Sequence, residues 1–274
     1  MESPFEQGRA APPSELGLRL ANAPPAYLQG ALANPALATQ HLLAMLRNPY
    51  LTGEFIRRIS LSPVWMKTYR LRSQIAAHPK TPRVLALRLL PTLGWSDLAR
   101  LIERPALPPQ LRRASEGILA LRLEHMSCGE KVSLARIAGR GILAALGGDS
   151  SPMVIRALLQ NPRVREEDVL RIAARPLTPG AVLQALAESR RFGPRREIRK
   201  AVAGHPGTPP PVALRALRSL PPRELRELLQ MPRMPRLVRV AAERLIEGTC
   251  GTADRRAADR SPHGPLRLQS KPLK

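Results

Sequence analysis

Cysteine and aromatic residues are scarce in this 274-residue chain. It holds two cysteines, Cys128 and Cys250, which stand far apart and outside any CxxC pair. A disulfide framework or a structural zinc site needs more thiols at closer spacing. Aromatic residues make up 3% of the chain and runs with period-two alternation are few, which argues against an extensive sheet. We therefore predict an all-α protein with idle or buried thiols, no metal and no cofactor.

Long apolar runs are also missing. No segment approaches the 18 uninterrupted apolar residues of a membrane span. The first residues, MESPFEQGRAAPPSE, carry acids and prolines where a secretory signal has basic and then apolar residues. We expect a soluble, cytoplasmic protein without integral membrane contact.

Acidic residues are half as numerous as basic ones. Lysine and arginine total 44 against 21 acids, a formal charge of +23. A GC-rich, bacterial-like composition accounts for abundant Ala, Arg, Pro and Gly, but not for this excess over acids. A field of this sign attracts phosphates, anionic lipid or acidic protein, and composition does not rank the three.

Prolines, by contrast, are abundant and regularly placed. The 30 prolines fall singly or in runs of two or three between Leu- and Ala-rich segments of about ten residues. Because proline disfavours helical geometry in the residue before it, each marks a helix boundary. In Thr81-Pro82 and Thr208-Pro209, threonine is expected to cap the next helix while proline takes its first position.

Two histidines stand in matching phrases, HPKTP at 78–82 and HPGTP at 205–209. As ligands or bases they would need convergent partners. Asn34 and Asn161 precede proline in the same way, so a capping role is favoured. We interpret both phrases as structural helix boundaries, formed by His78, Pro79, Thr81, Pro82, His205, Pro206, Thr208 and Pro209.

The chain is an internal duplication. The segment 34–119 aligns with 161–246 without a gap, and the prolines at 35, 49, 79 and 105 align with those at 162, 176, 206 and 232. A finer repeat lies within each copy, where an apolar residue followed by arginine recurs at Arg72, Arg112, Arg156, Arg199 and Arg239. We predict six units of about 42 residues. The predicted segments are a flexible start at 1–19, the first copy at 20–146, the second copy at 147–250 and a disordered basic tail at 251–274.

This period and the phrase PRLVRVAAERLI at 235–246 resemble the HEAT and armadillo families. The NP phrases are similar to leucine-rich repeat variant proteins. The resemblance implies a right-handed α-solenoid, a superhelix whose short helices bury one face on their neighbours. In HEAT-like proteins the recurrent arginine usually pairs an acid, and Asp149 would suit Arg156. An exposed, anion-binding row of these arginines is the alternative.

The sharpest charge cluster is RRFGPRREIRK at 190–200. It is either a solvated charge run or an anion site near a helix start. The alignment of the two copies pairs it with SPVWMKTYRLRSQ of the first copy. The partner-binding candidates are Arg190, Arg191, Arg195, Arg196, Arg199, Lys200, Lys67, Arg70, Arg72, Trp65 and Tyr69.

No catalytic motif is present in the sequence. We predict a non-enzymatic binding scaffold whose arginine-rich surface engages an acidic protein or a nucleic-acid backbone, with no small-molecule substrate. One alternative is a sequence-nonspecific nucleic-acid-binding protein. Another follows from the resemblance, because some HEAT-like DNA glycosylases, which act on alkylated bases, use Trp, Asp and Arg. Trp65, Trp95 and Asp97 would supply the first two of these residue types.

Overall fold

The computed structural model describes residues 2–231 and 234–258, with side chains up to 247. This part of the chain is all-helical, with nineteen α-helices, two single-turn 3₁₀ helices and no strand. None of these helices is both long and apolar enough to cross a bilayer. The chain divides into two compact units between Leu146 and Gly147.

The first unit holds twelve α-helices, most of them two turns long. They are α1 Pro4–Ala10, α2 Pro13–Arg19, α3 Pro25–Leu32, α4 Thr39–Met45, α5 Gly53–Ser60, α6 Pro63–Met66, α7 Tyr69–Ala77, α8 Arg83–Leu89, α9 Trp95–Ile102, α10 Pro109–Arg122, α11 Cys128–Ile137 and α12 Arg140–Leu146. The 3₁₀ helices are Leu90–Thr92 and Leu123–His125. A continuous apolar core from Ala11 to Leu111 joins the helices from α2 to α10.

The second unit holds seven described helices. They are α13 Pro152–Gln160, α14 Glu166–Ala173, α15 Gly180–Glu188, α16 Arg196–Gly204, α17 Pro210–Leu217, α18 Pro222–Leu229 and α19 Arg236–Ala258. Each of them starts at the position that aligns with a helix start of the first unit, from α3 and α13 to α10 and α19. The duplication in the sequence thus extends to the helix starts.

The helices of the second unit form two rows. One row is α13, α15, α17 and α19, each in contact with the next, and the other is α14, α16 and α18. Isolated helices this short are marginal in water, so their stability comes from the faces that they bury on each other. Leu217, Leu225 and Val238 belong to the core between α16 and α19.

The unit length predicted from the arginine phrase does not match this arrangement. Helices of the first row begin at Pro152, Gly180, Pro210 and Arg236, so successive starts are closer together than the predicted unit is long. Arg156 lies on α13 of this row, whereas Arg199, the next recurrent arginine, lies on α16 of the other. The sequence period therefore spans one and a half helix pairs, and the packing repeat in this unit is a helix pair.

The amino-terminal segment also corrects a prediction. The sequence predicts that residues 1–19 are flexible, but they contain α1 and α2, and Leu16 is fully buried. Ser3 and Glu6 form a reciprocal capping box at the start of α1, which satisfies two free amides. At the other end, α19 runs to Ala258, into the predicted disordered tail, whose residues 259–274 lie outside the described part.

Candidate functional site

A histidine or asparagine that stands before a helix-ending proline joins two turns of the chain. In the second unit, His205 Nδ1 accepts the Gly207 amide at 3.0 Å and Nε2 lies 2.9 Å from the Arg175 carbonyl. These partners require the imidazole proton on Nε2. In the first unit, Asn48 accepts the Tyr50 amide and donates to the Leu20 carbonyl, both at 2.8 Å. The histidine therefore makes the same pair of bonds as an asparagine.

His78 follows this pattern in a more exposed setting. Its Nδ1 accepts the Lys80 amide at 3.2 Å. Partial burial lowers the pKa of His78, opposed by the nearby Leu46 carbonyl and aided by the charges of Lys80 and Arg104. Nδ1 thus has a partner within the unit.

The threonines of the two phrases act differently from the prediction. Thr81 Oγ1 donates to the Ile75 carbonyl and Thr208 Oγ1 to the Val202 carbonyl, both at 2.6 Å. These hydroxyls satisfy the end of the preceding helix, while Pro82 and Pro209 occupy the N-cap positions of α8 and α17 without a side-chain cap. The predicted threonine cap of the following helix is therefore wrong.

Ion pairs to neighbouring helices engage three bases of the 190–200 cluster. Arg195 lies 3.1 Å from Glu166 of α14. Arg196 pairs with Glu224, and Lys200 pairs with Glu227, both on α18. Glu224 is buried. The three ion pairs connect α16 to both of the other helices in its row.

Two further bases of the cluster bond to main-chain carbonyls. Arg191 donates to the Asn161 and Val164 carbonyls at 2.9 Å, and its guanidinium lies 4.7 Å from the centre of the Phe192 ring. Arg199 donates to the Gly193 carbonyl at 3.2 Å. Arg190 is the exposed member with no hydrogen bond or ion pair to a described residue. Most of this cluster therefore stabilises the unit itself.

In the corresponding segment of the first copy, some candidate side chains bond within the protein and others do not. Tyr69 donates to Asp97 at 2.6 Å and accepts the Gly94 amide, while Arg72 donates to the Met66 carbonyl at 3.1 Å. Burial, followed by the Asp97 bond, raises the pKa of Tyr69. Trp65 packs against the core. The side chains of Lys67 and Arg70 are exposed and make no hydrogen bond or ion pair to a described residue.

The recurrent arginines make carbonyl bonds more often than the predicted acid pairs. Arg112 donates to the Ile102 carbonyl at 2.7 Å, and Arg239 lies 3.4 Å from the Met231 carbonyl. Arg156 pairs with Glu188 at 3.4 Å; Asp149, its expected partner, accepts the Ser151 amide. As with Arg72 and Arg199, the usual role is to satisfy the end of an earlier helix or turn, whose last carbonyls have no intrahelical donor.

The residues of the glycosylase-like alternative face separate partners. Asp97 accepts hydrogen bonds from Tyr69 and from Ser73, the latter at 3.0 Å, and Trp95 donates to Glu130 at 3.1 Å. Structural hydrogen bonds thus hold both side chains. Among the described residues, no group of three His, Cys, Asp or Glu side chains is arranged to hold a metal ion.

Three grooves lie along the row of α13, α15, α17 and α19. The groove between α13 and α15 encloses about 460 Å³, and the next, between α15 and α17, about 390 Å³. The groove between α17 and α19 is larger, about 730 Å³. Five exposed arginines on these grooves have side chains that make no hydrogen bond or ion pair to described residues: Arg190, Arg215, Arg218, Arg236 and Arg244.

Sequence reasoning missed the arginines at 215, 218, 236 and 244. On α19, Leu237 and Val240 are 55% and 41% exposed beside Arg236 and Arg244, which depends on how the helices pack and is not visible in the sequence. The part of α19 that lines the groove is therefore apolar as well as basic. No family model, curated protein or solved structure matches this chain.

Proposed function

We propose that this protein is a non-enzymatic, HEAT/armadillo-like α-solenoid scaffold that binds an acidic protein partner. The observation that carries the proposal is the set of five groove arginines, Arg190, Arg215, Arg218, Arg236 and Arg244, which lack partners in the described part of the chain. Unpaired arginines beside a groove offer charge-assisted bonds to carboxylates.

The repeated packing supports the solenoid part of the proposal. Helix pairs in the second unit add one after another, each contacting its neighbour in the same row. Such arrays build extended binding surfaces from grooves between successive helices. The matched helix starts of the two copies support the same architecture for the first unit.

The lining of the grooves favours a protein over a nucleic acid. Leu214, Leu237 and Val240 line the largest one beside its arginines. Aliphatic floors suit the side chains of a protein, whereas nucleic-acid grooves combine basic residues with aromatic stacking platforms. The five bases of 190–200 with intramolecular partners are less available to phosphates.

A direct test compares poly-L-glutamate with two unrelated DNA duplexes by fluorescence anisotropy across a salt series. The groove variant replaces Arg190, Arg215, Arg218, Arg236 and Arg244 with glutamine. A matched control replaces five exposed arginines elsewhere: Arg70, Arg88, Arg113, Arg136 and Arg226. Both variants change the formal charge equally.

We expect the wild type to bind polyglutamate at about 100 mM salt, the groove variant to lose at least roughly tenfold in affinity, and the control to change little. Equal losses in both variants would show attraction by net charge alone and contradict the proposal. Duplex binding with a steep salt slope, of about 0.9 per phosphate contact, together with no polyglutamate binding, would favour the nucleic-acid alternative.

A further inference from the structure

The groove between α17 and α19 has a more extensive apolar floor than the other two and, unlike them, no acid in its lining. Its floor is formed by Leu214, Leu237, Val240, Ala241 and Leu245, and its rim by arginines at 218, 236 and 244. On α19 the apolar residues follow the spacing of one helix face, i, i+3, i+4 and i+8. Leu237 and Val240 are exposed on this face, whereas Ala241 and Leu245 are partly buried against the core that contains Val238 and Ala242.

Comparison with the α13–α15 groove shows what has changed. When the helices are aligned from their starts, Leu214 corresponds to Arg156 and Arg244 corresponds to Glu188. In the α13–α15 groove that arginine and glutamate form an ion pair at 3.4 Å. In the α17–α19 groove the basic partner is replaced by leucine and the acid by arginine. The α13–α15 groove therefore contains its own carboxylate, that of Glu188, and the α17–α19 groove contains none.

From this difference we infer that the α17–α19 groove binds an acidic amphipathic helix of the partner protein, with apolar side chains on the floor and carboxylates on Arg218, Arg236 and Arg244. This inference rests on the proposed function and names its site. The stretch of α19 from Arg236 to Leu245 is about 14 Å long, which matches two to three turns of a bound helix. Helix-in-groove binding of this kind uses i, i+3 and i+4 anchors.

Charge favours an acidic helix in this groove over the chain's own carboxyl-terminal residues and over a second copy of the chain. The chain's own residues 259–274 carry four lysines and arginines and one acid, so they would add cations to a cationic rim. A second copy of this chain brings a further formal charge of +23 and is repelled at long range. An acidic helix supplies both the missing carboxylates and the apolar contacts.

The test uses a labelled 16-residue helical peptide with leucines on one face and glutamates beside them, titrated with the full chain. Four reagents separate the contributions. The charge variant is R218E/R244E, and its control is R226E on α18, a charge reversal at an exposed arginine outside the groove. The floor variant is L237Q/V240Q, which keeps every charge. A scrambled peptide of equal composition has no apolar face.

We expect tight binding of the leucine–glutamate peptide, at least roughly tenfold weaker binding of the scrambled peptide, and a similar loss in both groove variants. A peptide with lysines in place of the glutamates should bind R218E/R244E better than the wild type. The control R226E should retain affinity. Leu237 and Val240 are exposed, so circular dichroism of the floor variant should match the wild type.

Four results would overturn the inference. Equal binding of the leucine–glutamate peptide and the scrambled peptide would show that binding does not depend on the apolar face of the peptide. An equal loss in R226E would show that only net charge matters. Concentration-dependent dimers that disappear in L237Q/V240Q would make a second copy the occupant. If the floor variant binds polyglutamate and the leucine–glutamate peptide as the wild type does, this groove is not the site while the proposed scaffold function still stands.

Discussion

At the scale of single residues, the imidazole of His78 links protonation to folding. Burial is the main cause of its lowered pKa, so the folded state favours the neutral ring. The unfolded chain takes up the proton at higher pH than the folded chain does. Stability from this residue is therefore present above the unfolded pKa, near 6.5, and is lost as pH falls towards the lower folded pKa.

We predict that His78→Asn changes the free energy of unfolding by less than about 1 kcal/mol at pH 8, because asparagine makes the same bonds at Asn48. At pH 5 the variant should be more stable relative to the wild type than at pH 8. Urea denaturation at both values measures this. A difference that is constant with pH would show that His78 titrates alike in both states.

Neighbouring arginines of the 190–200 cluster should behave differently. Arg191 satisfies the Asn161 and Val164 carbonyls, whereas Arg190 has no bond to a described residue. We predict that Arg191→Ala lowers the free energy of unfolding by about 1–3 kcal/mol and Arg190→Ala by less than about 0.5 kcal/mol. Chemical denaturation of the two variants decides this, and equal effects would contradict the structural role of Arg191.

At the scale of helices, the contact of α1 with α3 depends on two glycines. A Cβ on Gly30 would overlap the Phe5 carbonyl, and one on Gly8 would overlap the Tyr27 carbonyl. We predict that Gly30→Ala lowers stability by about 1–3 kcal/mol, as overpacking of a close contact does. Hydrogen exchange of residues 4–10 should speed up in the same variant.

Gly17 of α2 provides the matched control. A Cβ there meets nothing within 4 Å, and alanine has the higher helix propensity, so Gly17→Ala should raise stability by up to about 1 kcal/mol. Thermal melts of both variants complete the comparison. Unchanged exchange and stability in Gly30→Ala would mean that α1 does not pack on α3 in solution.

Helix positions were easier to predict from the sequence than helix pairing. Proline fixes where a helix starts or stops through local sterics, so the all-helical class and the matched starts of α3 and α13 follow from the chain alone. The amino-terminal helices were missed because few apolar residues mark them, although Ser3-Pro4 with Glu6 is a start signal. The longer period read from the sequence reflects the arginine phrase rather than the helix pair.

The site was harder to predict because its partners are distant in sequence. Arg195 meets Glu166 and Lys200 meets Glu227, each on the adjacent helix of the same row. The sequence shows only a run of bases, because helix packing decides which helices are neighbours. For the same reason, the exposed face of α19 could not be told from its buried face before the rows were known.

At the scale of the whole molecule, like charge should oppose folding. Forty-four bases and 21 acids repel one another more strongly in the compact state than in the expanded one. Added salt screens this repulsion, while exposed ion pairs such as Arg171–Glu167 contribute little that salt can remove. The net effect of salt on stability should therefore be positive.

We predict that the melting temperature rises by roughly 3 °C or more between 20 and 300 mM NaCl, since about 1 kcal/mol shifts it by 2–4 °C in a chain of this size. The variant R190Q/R215Q removes two cations that lack partners in the described part of the chain, so it should melt higher at low salt and gain less from added salt. Arg195→Gln removes one cation but also breaks the pair with Glu166 and should gain nothing at low salt. A melting temperature that falls with salt would show that the ion pairs between helices outweigh the repulsion of the unpaired arginines.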